Sequence, residues 1–149
     1  MRKTTMACRA ALAVAAICVP MLAGGFWITL GNPEASAEAR AMNAVVTLMP
    51  TGCGNPSAAK VTATAEGYVG GKRTSLPLVV KAVSKPGLFA ITRQWPAEGK
   101  GVVRVVASYE GSQTSALIPV KNNEPARQLA KFISGAAGDR DVAALLASN

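Results

Sequence analysis

None of the 149 residues of this chain is histidine, which limits the chemistry the sequence can carry. Histidine is the commonest general base near neutral pH, the usual partner of a serine or cysteine nucleophile, and the most frequent metal ligand. The acids do not fill the gap. Glu38, Glu66, Glu98, Glu110, Glu124, Asp139 and Asp141 are scattered, and no two in the β-rich part have a spacing that would set paired carboxylates across a substrate. Glu66 and Glu110 stand beside glycines at expected strand ends and read as solvated turn residues. Asp139 and Asp141 suit the start of a helix, where acids complement the dipole. The expectation is a protein that is not an enzyme and needs no cofactor.

Two groups remain that could do other chemistry. Met42, Met49 and Cys53 fall close together, and thioether plus thiolate donors suit reduced copper. Against that, Met49 shares a strand face with Val45 and Thr47, where methionine commonly fills gaps in packing. No metal site is assigned, and the three residues stand as candidates for a copper-handling alternative. Arg93-Gln94-Trp95-Pro96 sets a guanidinium near an indole, which could recognise a carboxylate or stack on an aromatic partner. The other reading makes Trp95 a core anchor plugging the end of a sandwich, with Arg93 lying over the rim. Arg93 and Trp95 are the binding candidates.

The elements that would position these residues begin after a leader. Met1 to Arg9 carries three cations and no acid, Ala10 to Leu30 is an uncharged run of 21 residues, and Gly31-Asn32-Pro33-Glu34-Ala35-Ser36-Ala37 follows. A positive start, an apolar middle and small residues at Ala35 and Ala37 make a secretory signal, with cleavage expected between Ala37 and Glu38. An uncut run of that length would also span a bilayer and hold the protein at the inner membrane. Both outcomes put the remainder outside the cytoplasm, in the periplasm or beyond. The formal charge of +8 falls to +6 without Arg2, Lys3, Arg9 and Glu34. The remaining cations form no block or stripe, so they read as a solvated surface with no nucleic-acid footprint. With Cys8 and Cys18 in the leader, Cys53 has no internal partner; it is a buried small hydrophobe or one half of a dimer disulfide.

From Ala44 to about Val120, short alternating or apolar runs recur between Gly, Pro and Asn clusters. That rhythm predicts six or seven strands of an all-β sandwich. Val61-Thr62-Ala63-Thr64-Ala65-Glu66 alternates, Gly70-Gly71 predicts a hairpin, and Val102 to Tyr109 predicts a central strand. Leu76, Leu78, Val80 and Ala82 read as the inward side of one strand. Pro77 and Pro119 each argue for an edge, since proline cannot donate to a ladder. Beyond Asn123 the period changes: Leu129, Phe132 and Ile133, then Val142, Leu145 and Leu146, recur at helical spacing, with Asp139 as a cap candidate. The expected organisation is 1–37 leader, 38–121 sandwich and 122–149 helical or flexible tail.

The strings Ala59 to Gly67, Arg73 to Leu78, Pro86-Gly87-Leu88-Phe89 and Arg93 to Gly99 resemble small exported bacterial immunoglobulin-like modules, a group that includes copper-carrier-like and accessory domains. The resemblance covers about Ala44 to Val120. It implies an antiparallel immunoglobulin-like β-sandwich and a binding or accessory role through contacts with an envelope protein. The histidine-bearing N-terminal metal motif of the copper carriers is absent, and Glu38-Ala39-Arg40 stands where it would begin.

Overall fold

The structure is a computed structural model that describes residues 25–95 and 100–149. Three two-residue turns fix most of its register. Gly70-Gly71 joins β3 (Lys60–Val69) to β4 (Lys72–Leu78), with Val69 opposite Lys72. Glu110-Gly111 joins β7 (Gly101–Tyr109) to β8 (Ser112–Lys121), and Asn122-Asn123 joins β8 to the short β9 (Glu124–Pro125). Both central residues of each turn have positive φ, from 46° to 78°. That is the type I′ conformation, whose twist matches the strands it joins. Asparagine tolerates it almost as glycine does.

The remaining strands are β1 (Trp27–Gly31), β2 (Ala44–Thr51), β5 (Val80–Ala82), β6 (Phe89–Thr92) and β10 (Lys131–Ser134). They build two antiparallel sheets, one ordered β1-β2-β6-β5 and the other β10-β8-β7-β3-β4, with β9 beside β8. The architecture is therefore all-β and sandwich-like, with ten strands rather than six or seven. Period-2 alternation places the inward residues Val46, Leu48, Ala63, Ala65, Ile91, Val103, Val105, Ala116 and Ile118 in one layer between the sheets. As expected, β7 is central, lying between β3 and β8.

Four sequence expectations are corrected. Leu76 to Ala82 is not one strand: the chain leaves the six-stranded sheet at Leu78 and enters the other at Val80, and the freed Val79 N–H donates to Gln94 Oε1 at 2.7 Å. Pro77 does lie on an edge strand, but Pro119 lies on β8, flanked by β7 and, over Thr114 to Leu117, by β10. Its carbonyl accepts from Ala126 N at 2.8 Å. The N and C=O of one strand residue point the same way, so the missing donor faces past the end of β10 and leaves the β7 ladder whole. Leu129, Phe132 and Ile133 form no α-helix: Leu129 ends a single 3-10 turn (Arg127–Leu129), and Lys131–Ser134 extends as β10 along β8. The one tail helix, α2 (Asp139–Ser148), has Gly138 rather than Asp139 at its N-cap, and Gly138 N donates to Asp141 Oδ2 at 2.8 Å.

α2 gives the six-stranded sheet a covered outer face. Val142, Leu145 and Leu146 are buried against Val102, Leu117 and Ala137. The segment 122–149 is thus part of the packed body. At the other end of the chain, residues 1–24 of the expected leader lie outside the described residues, while residues 27–37 lie within the fold. Trp27–Gly31 pairs with β2 in five register positions, with Ile28 in the inter-sheet core. Ala37 and Glu38 are the first residues of a short helix, α1 (Ala37–Ala41), capped by Ser36 Oγ accepting from Ala39 N. Among the described residues no helix is long and apolar enough to cross a membrane.

Candidate functional site

The sequence candidates occupy three separate places. Met42 follows α1 and packs against the small cluster of Ala39, Val83 and Ala90, whereas Cys53 is exposed in the turn after β2. β2 lies between them, and eight residues at about 3.3 Å each put its ends roughly 25 Å apart. Met49 sits near the far end, opposite Thr29 on the outward face. The strand strings the three sulfur ligands out instead of gathering them, and Cys53 is not the buried hydrophobe expected. Among the described residues no three Cys, Asp or Glu side chains converge as metal ligands.

Arg93 and Trp95 also part company. Arg93 is exposed beside Met42, Asn43, Val45 and Thr92. Trp95 has different neighbours: it packs half-buried against the inter-sheet core and donates its indole N–H to Asn123 Oδ1 at 3.2 Å. Asn123 reaches it from the Asn122-Asn123 turn. The intervening Gln94 is occupied structurally, accepting from Val79 N and donating to Thr92 Oγ1 at 3.1 Å.

Around Trp95 a small cleft lies between the ends of β3, β4, β7 and β8. Backbone forms part of its floor: a Cβ at Gly67 would meet the Lys100 carbonyl at 2.8 Å, so only glycine lets β3 approach so closely. Val120 and Ala65 add apolar walls. On the rim stand Val69 and Leu76, exposed by 48% and 38%, two of the seven large exposed hydrophobic residues among the described residues; Tyr68 alternates onto the face of Glu66. Lys100 lies beside them and Lys72 follows in the adjoining turn. Sequence reading picked out Trp95 alone, because Val69 and Leu76 come together on one face only when β3 pairs with β4.

Directly behind the cleft lies a polar cluster that the sequence reading missed. Glu66, expected as a solvated turn residue, is 3% exposed in the middle of the outer face of β3. Its Oε1 accepts from Thr64 Oγ1 at 2.7 Å and Ser75 Oγ at 2.9 Å, and lies 3.0 Å from Arg104. Arg73 approaches Oε2 at 3.5 Å. Both guanidiniums also face Asp139 at the start of α2, at 3.5 Å from Arg104 and 3.9 Å from Arg73. Burial pushes the Glu66 carboxyl up, but the two hydroxyls and two guanidiniums outweigh it and hold it below the ordinary carboxylate range. Glu38 is lowered too, by the Ser84 backbone N–H first and the Ser84 hydroxyl second, at 2.8 and 2.7 Å. Both acids are committed to internal partners. Of the acids in the notable pairs, Glu110 is the one that stays in an exposed turn as expected. A buried carboxylate saturated by four donors joins α2 to the sheet and offers no free base.

No protein-family model matches the chain, and comparison with curated proteins and with solved structures finds no significant match.

Proposed function

We propose that this protein is an exported, non-enzymatic binding module of immunoglobulin-like topology, acting in the periplasm or at the cell envelope by taking an apolar side chain of an acidic partner segment into the cleft beside Trp95. The single observation that carries this is the rim: Val69 and Leu76 expose apolar surface together beside Trp95 around a formed cleft, where a monomer gains nothing by exposing it. Lys100 and Lys72 set positive charge at the mouth, and the lining acid, Glu66, is already neutralised by Arg73 and Arg104. A partner with acidic residues flanking one apolar anchor fits that field. β4 is the open edge of its sheet, so an extended segment can run alongside it as far as Pro77.

The immunoglobulin-like reading rests on strand order. Counted along the chain, β1-β2-β6-β5 reproduces the A-B-E-D sheet and β8-β7-β3-β4 reproduces G-F-C-C′, with β9 and β10 added after the last strand. The copper-handling alternative gains no support from the separation of Met42, Met49 and Cys53 along β2.

A photo-crosslinking residue placed at Val69, and as a control at Arg93, tests the site in the native envelope. The expected result is one envelope protein attached through position 69, lost in Leu76→Asp and weakened by Lys100→Glu, with nothing specific at position 93. Equal crosslinking at both positions, or turnover of any substrate dependent on an acidic residue, would overturn the proposal.

A further inference from the structure

We infer that the leader is removed between Gly25 and Phe26, twelve residues before the Ala37-Glu38 bond that the small-residue pattern favours. The inference deepens the reading of an exported module and rests on it. A cut before Glu38 would delete β1 and leave β2 as a bare edge. Ile28, only 3% exposed in the inter-sheet core, would vanish and open that layer. Arg127 Nη1 donates to the Gly31 carbonyl at 2.6 Å and would lose its acceptor. The N-cap of α1 would go with Ser36, loosening the helix that buries Ala39 and carries Glu38 to Ser84. The folded unit therefore starts no later than β1.

Moving the boundary back also gives the leader better proportions. Met1 to Arg9 is the cationic start, Ala10 to Val19 an apolar stretch of ten, and Pro20 to Gly25 a helix-breaking segment. Ala23 and Gly25 then stand three and one before the cut, which is the small-x-small pattern a signal peptidase reads. An apolar stretch of ten falls within the length of a signal core and well short of the roughly 20 residues needed to span a bilayer. Gly25 is exposed, while Phe26 is half-buried with its ring 6.1 Å from that of Tyr109. The bond lies where the chain emerges from its packing. Water adds across it, leaving the carboxylate on Gly25 and a free amino group on Phe26.

The test expresses the full chain in a Gram-negative host and reads the N-terminus and intact mass of the folded product from each fraction. A periplasmic or secreted protein beginning at Phe26 is expected. A product beginning at Glu38 would overturn this inference while leaving export standing, as would an intact chain fixed in the inner membrane with its domain outside. An intact chain dissolved in the cytosol would overturn the export reading itself, and this inference with it. In a second comparison, Gly25→Leu should accumulate precursor, whereas Ala37→Leu, an exposed position, should be processed as the unaltered chain is. The reverse pattern would place the cut at Ala37.

Discussion

The two faces of the six-stranded sheet are held by different forces. The inner face meets the second sheet through Val103, Val105, Ala116 and Ile118, all fully buried and apolar. The outer face is divided: Val102 and Leu117 pack under α2, and beside them Glu66, Arg73, Arg104, Thr64 and Ser75 form a charged network capped by Asp139. The inner layer is insensitive to salt and pH because nothing in it titrates. The outer layer depends on one buried carboxylate keeping its charge. The charged network beside α2 is therefore the condition-dependent part of the fold, while the apolar packing under α2 and between the sheets is the constant part.

The comparison breaks most readily at its strong side. Ile118→Ala removes a fully buried side chain at the centre of the inter-sheet layer and should destabilise by about 3–4 kcal/mol, read from urea unfolding with an unchanged slope. Glu66→Ala should cost less, about 2 kcal/mol, because the two guanidiniums it strands are partly hydrated, with side chains 22% and 32% exposed. The variants should differ in kind as well. Ile118→Ala lowers protection against hydrogen exchange throughout the sheets, while Glu66→Ala lowers it first in α2. If both lowered it uniformly, the two faces would form one cooperative unit and the distinction would fail.

Acidification sharpens the contrast. The Glu66 carboxyl lies below its ordinary value of about 4.5 in the folded protein, so its contribution is complete above that value and is lost as pH falls through the folded one. Thermal unfolding should therefore show a drop below about pH 4.5 that is shallower in Glu66→Gln. Glu38 titrates in the same direction through Ser84, so the comparison is made in a Glu38→Gln background. An identical pH profile with and without Glu66 would show that the network does not hold its proton equilibrium.

The same division separates what the sequence discloses from what it conceals. Inner-face residues follow period 2, so β3, β7 and β8 could be read from Val61 to Ala65, Val103 to Ala107 and Thr114 to Val120. Strand β1 was hidden because Trp27-Ile28-Thr29-Leu30 ends an uncharged run that starts at Ala10, and hydropathy alone does not tell a buried strand from the rest of such a run. β10 was hidden because Phe132 and Ile133 fit a helical spacing as well as a strand, and pairing with β8 decides between them. Glu66 could not be assigned alone. Register puts it opposite Ser75 on one side and Val102 on the other, and brings Arg73 and Arg104 from adjacent positions. The informative hint was Arg104 itself, an arginine inside Val-Val-Arg-Val-Val, which needs an acid on the same face. Of the cleft, Trp95 was visible as a type, while its partner Asn123 lies in a turn whose Asn-Asn pair was read as the end of the strand region.

The smallest effect tests the outermost part of the network. Asp139 faces both guanidiniums, but at 3.5 and 3.9 Å with a side chain 86% exposed, where water and ions screen it. Asp139→Asn should change stability by no more than about 0.5 kcal/mol, and even that difference should vanish on raising the salt concentration. Its position in the first turn of α2 gives a second small contribution through the helix dipole, which is screened in the same way. Glu66→Gln should retain a penalty in high salt, because the carboxylate it replaces is shielded by the sheet and by Arg104 above it. If Asp139→Asn proved as costly as Glu66→Gln, the anchor of α2 would lie at the helix terminus, and the outer face would be held by surface electrostatics rather than by a buried charge.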